Sequence, residues 1–456
     1  MAMHHRWTLH VERFAGFESA DVALKPLTLF VGENGSGKGM MASLLWGVLA
    51  LGRELFPSRP GVSRAYMDCV EALRRCRAQG RREDAGEGGV ALDERETRLF
   101  IEWFNELLSM GKEWLVRQVF GTSVPSIGDL RVVGYSRATP LSLVFGADED
   151  VRQRSGCEHR LHFAIHADEG DDLYRMVCHV TSKLVLGEIA APFDASDVAP
   201  SVGGEPVFLP ASRAGLMVAF RPLVGDAPGN VDPGLERSGQ FALPVARFLQ
   251  ALSFTPDHQQ GALYFDTALW LESHLLEGEI RQVPVGDLAA YRYRPAGVDG
   301  VELAMCHSPS RVVELTALVH FLKRQPSPRM LFIEEPEAHL HPQAQRAMAR
   351  ALVRLANAGL PVVATTHGDT LFQQINNLLQ LHGHPERASL CEELGYTPGE
   401  TLDPSALSVH AFWRKNAGSA VQALQVSPYG VAAETFNQPL ASLTREIYRL
   451  QAELGG

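Results

Sequence analysis

The chain of 456 residues has few features of secreted or membrane proteins. Its six cysteines form no CxxC pair, so we expect reduced thiols that are buried or incidental. No apolar run approaches the roughly 20 residues that cross a bilayer. The first residues lack the apolar segment of a signal peptide. We therefore expect no membrane contact and a cytoplasmic location.

The chain also has no excess of positive charge. Its net charge is −11, with an isoelectric point near 5.9, which disfavours general nucleic-acid binding. A local basic groove stays compatible with that balance, but the sequence does not indicate one. Hydrophobic residues make up 45% of the chain, enough for a full core. The length suits two or three domains, or one large interrupted domain.

The strongest motif is a glycine-rich loop between a strand-like run, Leu27–Val31, and an apolar helix-like run, Met40–Leu51. Glycines let the backbone bend around an anion, and the helix N-terminus adds a partial positive charge. Lys38 is expected to reach the outer phosphates of a nucleotide. The expected nucleotide contacts are Gly32, Asn34, Gly35, Ser36, Gly37, Lys38 and Gly39.

One position departs from the usual phosphate-binding loop. The residue after the lysine is normally Ser or Thr, whose hydroxyl binds Mg²⁺, and here it is Gly39. We expect ATP to bind and hydrolysis to be slower, with water in the vacant coordination position. The substitution Gly39→Ser is then predicted to raise Mg²⁺-dependent ATP turnover.

Two further patterns complete a nucleotide site. The apolar run Met330–Ile333 ends in two acids. Glu334 is expected to hold Mg²⁺, and Glu335 to act as the general base toward the attacking water. The next strand, Leu360–Thr365, is followed by His367, which we expect at the γ-phosphate. The alternatives are a pair of surface acids and a structural histidine.

The strands that carry these patterns are joined by a helix predicted over Pro342–Ala358. Two short apolar strands joined by such a helix make a βαβ unit with a parallel sheet. The loop and the acids then belong to one α/β domain with a mixed or parallel sheet, split by a large α+β insertion. We predict an N-terminal lobe over 1–56, an insertion over 57–295 and a C-terminal lobe over 296–456.

Within the insertion, a stripe of apolar residues predicts an amphipathic helix or helix pair over Glu94–Val119. A β-meander is predicted over Asp129–Glu188, with Tyr174–Val180 as its third strand. The acidic stretch Asp168–Asp172 is then more typical of a solvated hairpin tip than of a metal site.

In order, the motifs GxNGxGK, FIEEPEAHLHP and TTHxD resemble those of the ABC-type ATPases in the SMC/overcoming-lysogenization-defect branch. The chain looks most like the short, arm-less AAA-type members of bacterial defence loci. The resemblance covers Trp7 to about Pro60, Phe208–Arg213 and Gly278–Ala452. It implies a P-loop NTPase fold of ABC type and two heads that dimerise around ATP and Mg²⁺.

The resemblance also implies a serine-containing signature loop that faces the partner's phosphates. The candidate precedes the helix predicted over Val312–Leu322 and contains Ser308 and Ser310. Ser310 could instead be a helix N-cap. The loop lacks the glycines usual in the family, and Arg311 could supply charge to the phosphate.

Two more segments match the family. His339 and His341 stand where the family has a dimer contact, and we favour that interpretation over a metal site. Leu209–Arg213 resembles a family motif, which makes Arg213 a site candidate without an assigned role.

These features predict an ATPase whose nucleotide-driven dimerisation controls an effector protein, a nuclease or a toxin, in antiphage defence. The reason is an ABC-type head with no effector domain of its own. The alternatives are a non-hydrolysing nucleotide-dependent scaffold or sensor and a DNA-repair-type ATPase head. The missing coiled-coil arm disfavours repair, and the missing LSGGQ-like segment disfavours a transporter.

Overall fold

The computed structural model describes residues 5–80, 89–121, 126–146, 160–164, 170–187, 204–225, 241–253, 262–285, 288–415, 418–432, 442 and 444–450. The helices are α1 Lys38–Leu51, α2 Arg64–Gly80, α3 Glu94–Phe120, α4 Gly170–Thr181, α5 Arg213–Gly225, α6 Leu243–Ser253, α7 Phe265–Leu271, α8 Ser310–Lys323, α9 Pro342–Asn357, α10 Asp369–Gly383 and α11 Arg387–Leu394. Turns of π-helix, Ser182–Leu186 and Glu272–Leu276, extend α4 and α7.

The strands are β1 His5–Phe14, β2 Phe17–Ala23, β3 Leu27–Gly32, β4 Val90–Ala91, β5 Asp129–Arg137, β6 Ser142–Gly146, β7 Arg160–Ala164, β8 Pro206–Leu209, β9 Gly278–Val285, β10 Leu288–Pro295, β11 Leu303–Ala304, β12 Met330–Glu334, β13 Val362–Thr366, β14 Leu407–Lys415, β15 Gly418–Ala423, β16 Val426–Ser427 and β17 Gly430–Val431. The main sheet has the order β5-β1-β2-β15-β14-β3-β13-β12-β8.

The centre of this sheet is parallel. Strand β3 lies between β14 and β13, and β12 lies between β13 and β8, with all four contacts parallel. The remaining strands on the β14 side pair mostly antiparallel, so the sheet is mixed. Because the carboxyl ends of parallel strands meet at one edge, the segments that follow β3, β12 and β13 are brought together there.

The central strands are buried on both faces, which explains their continuous apolar runs. Successive side chains point to opposite faces. Phe30 therefore lies in one core, with α1 and α3, while Leu29 and Val31 lie in the other, with α8, α9 and α10. Phe332 and Ile333 divide in the same way. The sheet is thus a middle layer between two helical layers, as the α/β fold class predicted.

The region predicted as an insertion contributes to the main sheet at both edges. Strand β5 pairs antiparallel with β1, and β8 pairs parallel with β12. The amphipathic pattern over 94–119 corresponds to the single helix α3, which begins with a capping box between Asp93 and Glu96. The insertion is therefore joined to the nucleotide fold by backbone hydrogen bonds. The domain limits at 57 and 295 stay a prediction.

The prediction of a β-meander is wrong, because β5 pairs with β1 in the main sheet and β6 pairs parallel with β7 in a separate sheet. Residues 174–180, predicted as the third strand of a meander, belong to helix α4. The buried residues Leu173, Val177, Val180 and Leu184 are three or four positions apart, which is the spacing of a helical stripe and not of a strand. This stripe packs on α2 and α3. The acidic stretch is not a hairpin tip, because residues 170–172 open this helix; residues 168 and 169 lie outside the described residues.

Candidate functional site

The phosphate loop runs from the end of β3 to the start of α1. Gly35 and Gly37 have φ of 73° and 94°, in the left-handed region that favours glycine. A β-carbon on Gly37 would lie 2.6 Å from Cζ of Phe17, so the ring of Phe17 closes the loop from behind. Asn34 and Gly35 are exposed at the tip of the loop. The loop conformation thus depends on glycine at 37 for both space and backbone freedom.

Two side chains brace the loop from inside. The hydroxyl of Ser36, which is fully buried, donates to the carbonyl of Glu33 at 2.7 Å. The ammonium of Lys38 donates to the carbonyls of Gly32 and Glu33 at 2.8 and 2.7 Å. Lys38 is 6% exposed, so its charge lies along the loop and not in solvent.

The electrostatics of Lys38 connect the loop with the acidic strand. Burial lowers the pKa of the Lys38 ammonium, and the nearby carboxylates of Glu335, Glu337 and Glu33 act in the opposite direction. An anion beside this ammonium would further favour the charged form. The loop lysine and the acids after β12 therefore lie in one electrostatic site, although the chain separates them by most of its length.

The acids are presented by a tightly held backbone. Glu335 has φ of 45°, which is rare for a residue with a side chain, and its amide donates to the carbonyl of Thr365 at 2.9 Å. Its carboxylate is 33% exposed, whereas Glu334 remains in strand β12. Strain of this kind persists where the surroundings hold it in place. The turn thus leaves the Glu335 side chain open at the sheet edge.

Arg213 holds that turn. Its side chain has no exposed surface, and it donates to the backbone carbonyl of Glu334 and, at 2.9 Å, to that of Glu335. It also forms an ion pair with the fully buried carboxylate of Glu314 on α8. The amide of Ala211 donates to Oε2 of Glu334 at 3.0 Å. The segment before α5, whose role the sequence left open, thus orients both acids.

Glu337 joins the acidic turn to the end of β13. Its Oε1 accepts from the hydroxyl of Thr366 at 2.7 Å and from the amides of His367 and Gly368 at 2.9 and 3.1 Å. The carboxylate is nearly buried, and no residue in the described stretches donates to its other oxygen. Sequence reasoning assigned no role to Glu337. The sequence signal for this role was a third acid, two positions after Glu335.

His367 lies between these acids. Its Nδ1 is 3.7 Å from Oε1 of Glu335 and 3.6 Å from Oε1 of Glu337, and the ring is 41% exposed. The structure therefore brings together Lys38, Glu335 and His367, the three residues on which the sequence prediction depends.

Glu334 and Gly39 are also adjacent. A β-carbon on Gly39 would lie 2.5 Å from Oε1 of Glu334, so this carboxylate occupies the space beside the loop. Burial raises the pKa of Glu334, with Glu335 adding to the rise and the Ala211 amide and Arg213 opposing it. A cation beside this carboxylate would offset the burial, and carboxylate oxygens suit Mg²⁺. The residues therefore fit a Mg²⁺ ion held by Glu334.

The signature-like loop lies at the start of α8. Pro309 is the N-cap and Ser310 is the first helical residue. The alternative prediction, that Ser310 is the N-cap, is therefore wrong. Ser310 is exposed, while the hydroxyl of Ser308 donates to the carbonyl of Ala304 at 2.9 Å. The guanidinium of Arg311 forms an ion pair with the carboxylate of Glu277 at 2.9 Å, so its charge is partnered within the chain.

His339 and His341 have different partners. His339 Nδ1 is 3.2 Å from Oε2 of Glu314, and His341 caps α9 by accepting from the amide of Gln343 at 3.4 Å. Within the described ranges, the one group of three His, Cys, Asp or Glu side chains close enough to share a metal is elsewhere, on β1 and β5. This arrangement gives no support to a metal at the two histidines.

Arg414 is a neighbour of the loop that the sequence did not reveal. It lies near the end of β14, the strand beside β3, and a β-carbon on Gly35 would be 3.2 Å from its Nη2. Its side chain is exposed. Only the strand order makes this contact visible, because no motif surrounds Arg414 in the sequence.

The sheet order, the loop and the acidic and histidine strand ends define a P-loop ATPase fold of ABC type. Residues 312–372 match the family described as "AAA domain, putative AbiEii toxin, Type IV TA system". The match covers most of α8, the acidic turn and His367. This match agrees with the AAA-type ATPase resemblance that the sequence motifs indicated. No curated protein matches the chain in sequence.

Several solved SMC heads are similar to the chain at low identity. One, an SMC head bound to the C-winged helix domain of ScpA, is 12% identical with a TM-score of 0.35, covering 92% of this chain and 97% of that one. A Pyrococcus furiosus Smc head bound to the C-terminal domain of ScpA is 11% identical with a TM-score of 0.37, and the match covers 97% of this chain and 100% of that one. The Thermotoga maritima SMC head is 12% identical with a TM-score of 0.31, and the match covers 93% of this chain and 100% of that one.

Among the described residues, no helix is both long and apolar enough to span a bilayer.

Proposed function

We propose that this chain binds ATP with Mg²⁺, hydrolyses it between two copies of itself, and thereby regulates an effector protein. The observation that carries the proposal is the meeting of Lys38, Glu335 and His367 at one edge of the sheet. An ammonium for the phosphates, a carboxylate for water and a histidine beside that carboxylate are the groups that phosphoanhydride hydrolysis needs. Localisation in the cytoplasm is part of the same proposal.

Each residue has a separate task in this proposal. Lys38 contacts the outer phosphates, and the loop with its glycines surrounds them. Glu335, which is partly exposed, accepts the proton of the attacking water, while His367 contacts the γ-phosphate. Glu334 would hold Mg²⁺, which when bound neutralises charge on the phosphates.

The test separates binding from turnover. We expect the parent chain to bind a fluorescent ATP analogue and to release phosphate. Glu335→Gln should bind with similar affinity while turnover falls about 100-fold or more, because the amide cannot accept the proton. Lys38→Ala should lose binding. Glu392→Gln, an exposed acid on α11, is the matched control and should behave as the parent. A parent that ignores ATP in this titration would end the proposal.

Dimerisation is tested with the same variants. The exposed Ser310 at the start of α8 is proposed to face the phosphates bound by a second copy, together with Ser308. Light scattering should then report a dimer for Glu335→Gln with ATP and a smaller species without it. If ATP leaves the measured mass of that variant unchanged, the two-copy site is rejected.

The effector is proposed to be a nuclease or a toxin in bacterial antiphage defence. The description of the matching family names an AbiEii toxin and a type IV TA system, which supports a defence-type module. Co-purification with the product of a neighbouring gene is the expected result. A chain that protects cells from phage fully on its own would contradict the need for an effector.

A second candidate is a nucleotide-dependent scaffold or sensor that does not hydrolyse ATP. The missing hydroxyl at Gly39 favours it, since that group normally binds the cation. It predicts that Glu335→Gln keeps the full biological effect, whereas hydrolysis as the driving step predicts that the effect vanishes.

A further inference from the structure

Five ionisable side chains meet on the antiparallel part of the main sheet. The register pairs His10 of β1 with Asp21 of β2 on one side and with Arg131 of β5 on the other. Two positions further along β1, Glu12 pairs directly with Asp129 of β5. Residues opposite each other in a sheet share a face, and so do residues two apart on one strand. The backbone therefore places all five side chains on one face of the sheet.

Glu12 and Asp129 are like charges at directly opposite positions. The β-carbons of such partners lie about 4.5 to 5.5 Å apart, and like charges there destabilise a sheet. Arg131 offsets one of these charges, with its Nε 3.1 Å from Oδ2 of Asp129. When the imidazole is neutral, the three carboxylates of the cluster still exceed its one guanidinium. The strand register thus concentrates negative charge between β1 and β5.

The ring of His10 has one nitrogen held by an acid and the other directed at a second acid. Its Nδ1 lies 2.7 Å from Oδ1 of Asp21, and its Nε2 lies 3.3 Å from Oε1 of Glu12. The side chain is only 14% exposed. A neutral imidazole that donates from Nδ1 to Asp21 turns the lone pair of Nε2 toward the Glu12 oxygen. Two lone pairs that face each other at this distance repel unless a proton or a metal ion lies between them.

The spacing of these atoms suits a metal ion. One ligand atom from each of His10, Glu12 and Asp129 lies within 4.8 Å of the other two. In a tetrahedral site with bonds near 2.1 Å, ligand atoms are about 3.4 Å apart, close to the spacing between His10 and Glu12. Asp129 completes the set by exchanging its contact with Arg131 for the ion. The bond to Asp21 is also typical, because the second ring nitrogen of a metal-bound histidine usually donates to a carboxylate or carbonyl.

We propose that His10, Glu12 and Asp129 bind a divalent transition-metal ion, with water as the fourth ligand and Asp21 orienting the imidazole. One imidazole nitrogen with two carboxylate oxygens suits Zn²⁺ better than Mg²⁺, which prefers oxygen ligands alone. The ion joins β5, which belongs to the region predicted as an insertion, to β1 of the N-terminal lobe. Its role is structural, and it is separate from the Mg²⁺ that accompanies a nucleotide. The inference does not depend on the proposed function.

The experiment treats the nucleotide-free chain with EDTA, removes the EDTA, and titrates Zn²⁺ in competition with a chromophoric zinc chelator. A pH of about 8 limits competition by protons for the ligands. We expect one tight equivalent in the parent, bound at least about tenfold more weakly by His10→Gln and by Asp129→Asn. Asp21→Asn removes no ligand and should still weaken binding about tenfold, because Asp21 orients the ring. His384→Gln and Glu18→Gln, at exposed positions outside the cluster, are the matched controls and should bind as the parent does.

Thermal unfolding with and without Zn²⁺ provides a second readout. Zn²⁺ should raise the unfolding temperature of the parent, because the three ligands come together only in the folded chain. This rise should be absent in His10→Gln. If His10→Gln does not fold, Asp21→Asn decides the question by a smaller rise than in the parent, since the Asp21 side chain is 64% exposed and packs little.

Two results would overturn the inference. Equal zinc affinity in the parent, His10→Gln and Asp129→Asn would show that a proton, and not a metal ion, lies between His10 and Glu12. Tight binding that is lost in Glu335→Gln and retained in His10→Gln would assign the ion to the nucleotide site.

Discussion

The carboxylate of Glu337 and the backbone of His367 are joined across two neighbouring strands, with 2.9 Å between Glu337 Oε1 and the His367 amide nitrogen. The same oxygen accepts from Thr366 and Gly368, so three donors converge on one atom. The position of His367 therefore depends on an acid that has no need to touch the nucleotide.

We predict that Glu337→Gln lowers ATP turnover about tenfold or more while the affinity for ATP changes little. A neutral amide oxygen accepts weaker hydrogen bonds than a carboxylate, so His367 would lose its fixed position. Turnover and binding titrations measured side by side test this. Glu392→Gln serves as the control, and a parallel loss of binding would contradict a positioning role.

Arg213 provides a second prediction, on stability. Arg213→Met leaves the buried Glu314 without its ion-pair partner, and breaking such a pair costs about 3 to 5 kcal/mol. The double variant with Glu314→Leu removes both charges, so urea unfolding should show a smaller loss for it than for Arg213→Met alone. Glu314 also contacts His339, and the double variant removes this contact as well.

Arg213→Lys tests the geometry of the same contact. Lysine keeps the charge but cannot donate to two neighbouring carbonyls in the fork that guanidinium offers. We expect a stable protein with turnover reduced about tenfold, since the Glu335 turn would be held less firmly. Turnover equal to that of the parent would show that charge alone suffices.

Arg414 is predicted to contribute to nucleotide affinity. Its guanidinium lies beside Gly35 at the tip of the phosphate loop, where it can contact an anion. Arg414→Ala should weaken ATP binding several-fold without changing the thermal unfolding temperature. Lys415→Ala, the exposed neighbour on the same strand, is the control. Equal losses in both variants would indicate a general charge effect and not a contact.

His410 predicts a dependence of stability on pH. It is fully buried, with Nε2 2.9 Å from Ser408 Oγ and 3.2 Å from the carbonyl of Ala23, and burial lowers the pKa of its imidazole. In the unfolded chain its pKa is about 6.5. As the pH falls below that value, the unfolded chain takes up a proton that the folded state resists. Stability should then fall by at most about 1.4 kcal/mol per pH unit.

The measurement is the unfolding temperature between pH 7.5 and 5.5. His410→Gln should flatten this part of the profile, whereas His384→Gln, an exposed site, should leave it unchanged. An identical profile for the parent and for His410→Gln would assign the pH dependence to other groups.

Sequence reasoning predicted the parts of this protein that local patterns encode. Five consecutive buried residues from Leu27 and a buried strand ending at Glu334 are continuous apolar runs, and a run of that kind marks a strand covered on both faces. The phosphate loop was visible because its backbone conformation itself requires glycine at defined positions. The error over 174–180 arose because a short apolar run suits a strand or a helix, and its packing against α2 and α3 decides between them.

The chain on its own thus determined the fold class, the loop and the candidate site residues, since each depends on neighbours in sequence. Tertiary structure alone decided how distant residues share space: Glu334 against Gly39, Arg213 behind the acidic turn, and Arg414 over the loop tip. The physical reason is that strand order and side-chain length set such contacts. The spacing predicted the pairing of β12 with β13, but nothing in the sequence around Arg414 indicated that β14 lies beside β3.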